Sequence, residues 1–298
     1  MWPALATLYL IWGSTFLAIR ISVETLPPFL STAARFGLAG LVLGAILTAR
    51  RGRSALRVSP REAAGAALAG LLLLGTGNGL LVLAESGPRS TAVPSGIAAL
   101  LIATVPLIVV VLRLLTRDIP PRSTVAGVLA GFAGLVVLFL PTGGSATAAP
   151  LAGALLIVLA ATSWSFGSFL SRWMRLPADP FVAAVYEMVA GAAVLVVMGA
   201  VRGEWTSFSP AEVTTRSWIA LAYLLVAGSL IAFTTYIWLL QHAPISLVST
   251  YAYINPVVAV VLGALLVAEP LSPRIILGGG VIVLGVALVV STERRKTY

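Results

Sequence analysis

The chain has 298 residues, of which 59% are hydrophobic and 10% are charged, whereas roughly a quarter of the residues in soluble domains are charged. This composition is typical of a membrane protein. Its net charge of +9 is therefore expected to concentrate in cytoplasmic loops and does not indicate a nucleic-acid partner. The absence of cysteine and the single histidine, His242, exclude disulfides and metal sites built from several histidines, and no cofactor is expected.

Apolar runs of about 20 residues, long enough to cross the hydrocarbon core of a bilayer, follow one another along almost the whole chain. Short breaks rich in charge, proline or glycine separate these runs. In chain order the predicted spans cover roughly residues 2–22, 28–50, 63–84, 95–115, 123–140, 151–172 and 180–201, and three more centre near residues 227, 256 and 283. We therefore predict an all-α polytopic membrane protein with ten transmembrane helices, in contact with the lipid bilayer.

The two halves of the chain repeat the same frame. Trp12 is matched by Trp164 at an offset of 152 residues, and Pro106 by Pro256 at an offset of 150. Because each copy holds five spans, an odd number, the second copy enters the membrane in the opposite orientation. The sequence thus predicts two inverted five-helix repeats. Its predicted segments are residues 1–140 for the first repeat, 141–150 for a connector, 151–291 for the second repeat and 292–298 for a tail.

Lysines and arginines are distributed unevenly between the loops on the two sides of the predicted membrane. One side carries thirteen of them, five in the loop at 50–61, and the other side carries four. The positive-inside rule places the richer side in the cytoplasm. Both termini and the tail are therefore predicted to be cytoplasmic.

Four phrases of the sequence resemble a known family of transporters. They are NGLLVLAE, VPSGIAALLIATVPL, SWSFGSFLSR and STYAYINPVVAVVLGALLVAEPLS. Together with the duplication they are similar to the EamA-type exporters of the drug/metabolite transporter superfamily, with one EamA unit in each half. The branch that the chain resembles holds bacterial inner-membrane exporters of amino acids, particularly aromatic ones, and of related metabolites.

The resemblance implies a secondary transporter that works by alternating access. Its substrate would be held in one central midplane cavity, bounded by the first, third, fourth, sixth, eighth and ninth spans. We expect this transporter to be a monomer or a weak dimer in the bacterial inner membrane.

Polar and aromatic side chains deep inside the predicted spans are the candidates for the substrate site. Trp12 and Trp164 lie near mid-span at equivalent positions, away from the interfaces where membrane tryptophans concentrate. Tyr251 and Asn255 are four residues apart and share a helix face, and their counterparts in the first copy are apolar. The predicted substrate-binding residues are Trp12, Ser14, Thr15, Asn78, Trp164, Ser165, Ser168, Tyr251 and Asn255.

Each candidate also has a purely structural interpretation. The two tryptophans could be packing residues, and the hydroxyl groups near them could bond to their own helices. Asn255 could satisfy backbone groups that Pro256 leaves without a partner. Asn78 could bridge two helices.

Arg35 and Glu187 are equivalent positions, 152 residues apart, and each follows the proline that opens its span by seven residues. Because the copies are inverted, the two charges lie toward opposite faces of the membrane. Each is only roughly 10 Å of helix from the start of its span, so a direct pair across the hydrocarbon core is not expected. Arg35 could reach Glu24 or a substrate carboxylate. Glu187 could couple protons to transport or bond to a neighbouring helix.

The sequence favours secondary export of small metabolites, with amino acids including aromatic ones as the substrates, and no enzymatic activity. With a single deep carboxylate, we expect facilitated transport or exchange rather than obligatory proton antiport. No GxxxxGK[ST] signature is present, which disfavours ATP hydrolysis. The alternatives are a channel-like protein, an efflux protein for drugs or toxic compounds, and a membrane-embedded enzyme acting on lipid, which the lack of histidine clusters and paired acids disfavours.

Overall fold

The computed structural model describes residues 1–86, 92–93, 95–139, 151–258 and 273–294, and every regular element within these ranges is helical. Three predicted features lie outside the described residues: the connector at 141–150, the second half of the predicted ninth span, and the end of the tail at 295–298. The all-helical class is confirmed.

The helices are α1 (Trp2–Ser22), α2 (Pro28–Arg51), α3 (Pro60–Glu85), α4 (Ser95–Ile102), α5 (Val105–Leu115), α6 (Arg122–Phe139), α7 (Leu151–Leu170), α8 (Pro180–Val201), α9 (Thr215–His242), α10 (Ile245–Val258) and α11 (Pro273–Arg294). Among the described residues, six helices are long and apolar enough to cross a membrane, namely α1, α2, α3, α7, α8 and α9. The chain is therefore a polytopic helical membrane protein, while the count of ten spans stays a prediction.

Local chemistry explains where several helices begin and break. Pro28 and Pro180 occupy the first positions of α2 and α8, where a missing N–H costs nothing. The third span begins at Pro60, earlier than predicted, because Ser59 and Glu62 form a capping box. The predicted fourth span is divided into α4 and α5 just before Pro106, since proline cannot donate the bond that a continuous helix needs.

Two helices contain a π-helical stretch, which the sequence did not predict. It covers Leu71–Asn78 in α3 and Leu224–Phe233 in α9. Both stretches lie in the interior of their helices, and π-helical turns are frequently found at functional sites. One stretch lies in each half of the chain.

Close packing joins helices from the two halves of the chain. Helix α2 lies along α8, and α6 lies along α11. The second pair depends on glycine, because a Cβ atom on Gly285 would lie 2.6 Å from the backbone nitrogen of Gly131, and one on Gly127 would lie 2.7 Å from the carbonyl oxygen of Gly285. The absence of side chains at these glycines allows α6 and α11 to pack closely. Gly280, in contrast, faces open space.

The loops that the structure describes gather at two ends of the helical bundle. At the α1–α2 end, Thr25 bonds to Ser217, and Glu204 accepts from the backbone of Phe29 and Leu30. At the α2–α3 end, the loop at 53–59 lies with the loops at 116–121 and 171–179, where Arg51 pairs with Asp179. The α2–α3 end is the one that the charge distribution predicts to be cytoplasmic.

Candidate substrate-binding site

A cavity of about 70 Å³ lies inside the bundle, and we call it the central cavity. It is lined by α1, α2, α3, α7, α9 and α10, with Ile102 and Val105 from the junction of α4 and α5. A single water molecule needs a cavity volume of roughly 10–15 Å³, so the central cavity has room for several water molecules. The structure adds α2 to the helices that the resemblance implied.

Six of the nine predicted substrate-binding residues line the central cavity. They come from four helices that lie far apart in the sequence, α1, α3, α7 and α10, so only the fold brings them together. These residues are Trp12, Thr15, Asn78, Trp164, Tyr251 and Asn255. The deep aromatic and amide positions that the sequence singled out therefore face one shared space.

The three serines of the predicted site are not among the described residues that line the central cavity, and their role in substrate binding stays a prediction. Ser165 is buried and donates to the carbonyl oxygen of Ala161 at 2.7 Å. Ser168 donates to the carbonyl oxygen of Trp164 at 2.7 Å, and Ser14 donates to its own helix at Ile11 at 2.7 Å. A serine in a helix can satisfy its hydroxyl group on a carbonyl three or four residues earlier, which is the structural alternative that the sequence left open.

Four rings form an aromatic cluster at one side of the central cavity: Trp12, Trp164, Tyr236 and Tyr251. The ring centroid of Trp12 lies 5.6 Å from that of Trp164, 5.0 Å from that of Tyr236 and 4.8 Å from that of Tyr251. Trp164 Nε1 donates to the Tyr236 hydroxyl at 3.0 Å. Tyr236 is fully buried, and sequence analysis missed it because its position near the end of a span resembles an interfacial anchor.

Trp12 of the aromatic cluster differs in its exposure from four tryptophans outside the cluster. Trp12 is 8% exposed, whereas Trp2, Trp173, Trp205 and Trp218 are 36–59% exposed. The exposed tryptophans fit the two interfaces of a membrane. Trp12 is therefore placed in the interior and not at the lipid surface.

Two amide side chains face the central cavity without a partner. Asn255 is 2% exposed and Asn78 is half-buried, and in the described part of the chain the Oδ1 atom of each has no hydrogen-bond partner. The alternative in which Asn255 bonds to backbone groups near Pro256 is not observed. Because buried polar groups are normally satisfied, a ligand is the natural partner of these amides.

Arg35 is the one charged side chain of the described residues that line the central cavity. It is 4% exposed, its Nε donates to Ser229 Oγ at 2.8 Å, and its guanidinium carbon lies 4.6 Å from the ring centroid of Phe36. Sequence analysis considered Arg35 but did not include it in the site. The signal that could have included it is its depth, since a charge inside a span is costly.

A second cavity, of about 380 Å³, lies toward the α2–α3 end. Its wall includes Glu187, Arg172 and Gln241. Glu187 is 1% exposed, and its Oε2 atom has no hydrogen-bond partner among the described residues. No ion pair of the described residues joins Glu187 to Arg35, in agreement with the sequence-based expectation.

An ionic network closes the rim of the second cavity. The carboxylate of Asp118 accepts from Arg113 Nε at 3.0 Å and from Arg172 Nη1 at 3.0 Å. Partial burial alone would raise the pKa of Asp118, but the bonds to the two arginines outweigh it and hold the pKa below its ordinary value. The network ties α5 to the end of α7.

The sequence profile of the EamA-like transporter family matches residues 3–140 and 151–291. The chain belongs to the EamA-like transporter family. Membership makes it a membrane transporter of small molecules rather than an enzyme. Among the described residues of this EamA-family transporter, no three side chains of the metal-ligating types come together.

Similar proteins cover nearly the whole of this EamA-family chain. An uncharacterized inner membrane transporter, YedA, of Escherichia coli (strain K12) is 39% identical over 290 residues, which are 97% of this chain and 90% of the relative. The WAT1-related protein At3g02690, chloroplastic, of Arabidopsis thaliana is 26% identical and covers 97% of this chain and 69% of the relative. One solved crystal structure has a TM-score of 0.77 at 26% identity, covering 99% of this chain and 98% of that chain.

Proposed function

We propose that this chain is a secondary exporter of amino acids, including aromatic ones, that works by alternating access around the central cavity. The observation that carries the proposal is the wall of that cavity, where the aromatic cluster lies beside the amides of Asn78 and Asn255. Aromatic rings provide a stacking surface for an aromatic side chain. The free amides provide hydrogen bonds for the head group that all amino acids share.

The packing of the helices supports two inverted five-helix repeats. Helices α2 and α8 begin at equivalent prolines, 152 residues apart, and lie against one another, and α6 lies against α11 in the same way. The π-helical stretches of α3 and α9 both contribute residues to the central cavity. Transporters built from inverted repeats hold their substrate near the repeat interface and expose it alternately to the two sides.

We place the transporter in a bacterial inner membrane with both termini in the cytoplasm. The E. coli relative is described as an inner membrane transporter, and thirteen lysines and arginines lie on one side against four on the other. Since one chain encloses the central cavity, we take the monomer as the transporting unit.

Counterflow in proteoliposomes tests the proposed function. Purified protein is reconstituted into liposomes loaded with unlabelled amino acid, and the uptake of a panel of radiolabelled amino acids is followed with and without the internal substrate. We expect saturable uptake that internal substrate stimulates, with phenylalanine and tryptophan among the best substrates. Uptake that neither saturates nor responds to internal substrate would indicate a channel, and uptake of organic drugs but of no amino acid would indicate a drug efflux protein.

A further inference from the structure

The central cavity contains a buried positive charge that has no negative partner among the described residues. Arg35 is 4% exposed, and no carboxylate among the described residues lies within ion-pair distance of it. Its single hydrogen bond in the described part of the chain goes to a neutral hydroxyl group, that of Ser229. A buried charge without a counter-ion is strongly destabilising, and the ring of Phe36 compensates only a part of this cost. A ligand that brings an anion would supply the missing partner.

The geometry of Arg35 leaves its terminal nitrogens available. The Nε atom is committed to Ser229, which fixes the plane of the guanidinium group. Nη2 lies beside Gly228, where a Cβ atom would be only 2.9 Å from it, so the glycine leaves room for the end of the side chain. Two parallel N–H groups at the end of a guanidinium match the two oxygens of a carboxylate.

The rest of the wall provides no comparable site for a positive charge. No aspartate or glutamate occurs among the described residues that line the central cavity. Apart from Arg35, an ammonium group would meet neutral groups in the described part of this wall, such as the amides of Asn78 and Asn255 and the faces of aromatic rings. The electrostatic preference of the cavity therefore favours the negative group of a ligand over its positive group.

We propose that Arg35 binds the carboxylate of the transported amino acid, so that the central cavity selects compounds that carry a carboxylate and rejects the corresponding amines. The inference rests on the proposed amino-acid transport and assigns its specificity to one residue. A carboxylate is favoured over a phosphate ester because a single guanidinium balances one negative charge, and the remaining wall is neutral.

Competition among four ligands with the same ring tests this assignment. Counterflow of radiolabelled L-phenylalanine is measured against 3-phenylpropanoate, which lacks the ammonium group, against phenethylamine, which lacks the carboxylate, and against phenyl phosphate. Since hydrogen bonds to charged groups are worth about 1.5–3 kcal/mol, we expect 3-phenylpropanoate to compete at least ~10-fold more strongly than phenethylamine. Phenethylamine competing equally well would overturn the inference, and stronger competition by phenyl phosphate would overturn the choice of carboxylate.

Variants assign the selectivity to Arg35. In Arg35→Gln we expect the affinity for 3-phenylpropanoate to fall at least ~10-fold while that for phenethylamine is unchanged, and Arg35→Lys should recover a part of the loss. The matched control is Arg20→Gln, which removes a cation of α1 that donates to the carbonyl oxygen of Glu85 and does not line the cavity. An Arg35→Gln protein that keeps the wild-type preference would contradict the assignment.

Two further measurements keep the outcome interpretable. Binding of phenethylamine to the purified variant, followed by tryptophan fluorescence, shows whether the cavity is intact. If Arg35→Gln does not fold, Ser229→Ala releases Nε and should weaken the carboxylate preference. Amino-acid transport without any carboxylate preference would refute this inference alone, whereas transport of 3-phenylpropanoate without transport of any amino acid would refute the proposed function and leave the role of Arg35 standing.

Discussion

The central cavity and the second cavity each contain a buried charge at the same place in the repeat. Arg35 lines the central cavity, and Glu187, 152 residues later, lines the second cavity toward the α2–α3 end. Their surroundings differ. Arg35 lies among aromatic rings and unpaired amides, whereas Glu187 shares its cavity with Arg172, which belongs to the ionic network at the rim.

For the two repeats that we propose, the comparison separates the features that the halves share from those in which they differ. The helices, their opening prolines and the π-helical stretches correspond between the halves. The charged and polar side chains do not correspond between the halves. A cavity with two equal halves would offer the same groups to both ends of a ligand. The amino acids that we propose as substrates have unlike ends, and we therefore propose that the substrate binds in the central cavity and that the second cavity is part of the path to the α2–α3 end.

The largest expected effect concerns which cavity lies toward the cytoplasm. The chain has no cysteine, so a single introduced cysteine reports on its own position. Ser54→Cys, in the exposed loop of the α2–α3 end, should react with a membrane-impermeant thiol reagent only after the cells are permeabilised. Thr206→Cys, at the α1–α2 end, is the matched control and should react in intact cells. Labelling of Ser54→Cys in intact cells would reverse the orientation of both cavities.

The next effect concerns the amide of the central cavity. Replacing Asn255 by leucine removes a buried hydrogen-bonding group at similar size, and we expect the apparent affinity for all amino acids to fall about 10-fold, because the head group is common to them. The affinities are measured by competition in counterflow. Gln241→Leu, in the wall of the second cavity, is the matched control and should change the affinities little. A loss confined to a few amino acids would place Asn255 beside the side chain of the substrate instead.

A smaller effect is expected from the aromatic cluster. Trp12→Ala and Trp164→Ala should weaken aromatic amino acids more than small ones, by roughly 2- to 10-fold, because a ring contact is worth about 0.5–1.5 kcal/mol beyond its area. Trp173→Ala, an exposed tryptophan with 55% of its surface accessible, should leave the selectivity unchanged. Equal losses for alanine and phenylalanine would remove the aromatic role from the cluster and leave the cavity itself in place.

The smallest effect is expected in the second cavity. Glu187→Gln removes the charge but keeps the shape, and we expect counterflow of amino acids to continue at close to the wild-type rate, because exchange does not require this carboxylate to take up a proton. Flux driven by a pH jump is measured beside it. If a pH gradient drives uphill transport in the wild type and the variant loses only that activity, Glu187 couples protons and our expectation is wrong.

The helical class could be predicted from the sequence, and so could the shared cavity that is lined by Trp12, Trp164, Tyr251 and Asn255. Depth in a span and the spacing of the repeat determine which residues approach the middle of the bundle, and both can be read from the chain. The π-helical stretches were not predictable in this way, because they change the helical period without a distinctive residue pattern. Both stretches contribute residues to the wall of the central cavity, among them Asn78 from α3 and Gly228 from α9.

The predicted and the observed walls of the central cavity differ for a physical reason. A serine inside a helix can bond to its own backbone or face a cavity, and the sequence does not distinguish the two arrangements. Ser165 bonds to its own helix, whereas Ser168 bonds both to its own helix and to the Tyr236 hydroxyl group of the aromatic cluster. Tyr236 was missed for the opposite reason, because a tyrosine near the end of a span can anchor at the interface or turn inward, and here it turns inward to meet Trp164.

Accessibility of one introduced cysteine in the central cavity tests alternating access most directly. Ala160 lines that cavity, and its side chain is a single methyl group. Ala160→Cys therefore adds a thiol with little change in the shape of the cavity. In a variant that still transports, we predict that an impermeant thiol reagent labels this cysteine in right-side-out and in inside-out vesicles, and that saturating phenylalanine slows the labelling from both sides. Labelling from one side only, at the same rate with and without phenylalanine, would contradict a carrier that moves its substrate through the central cavity.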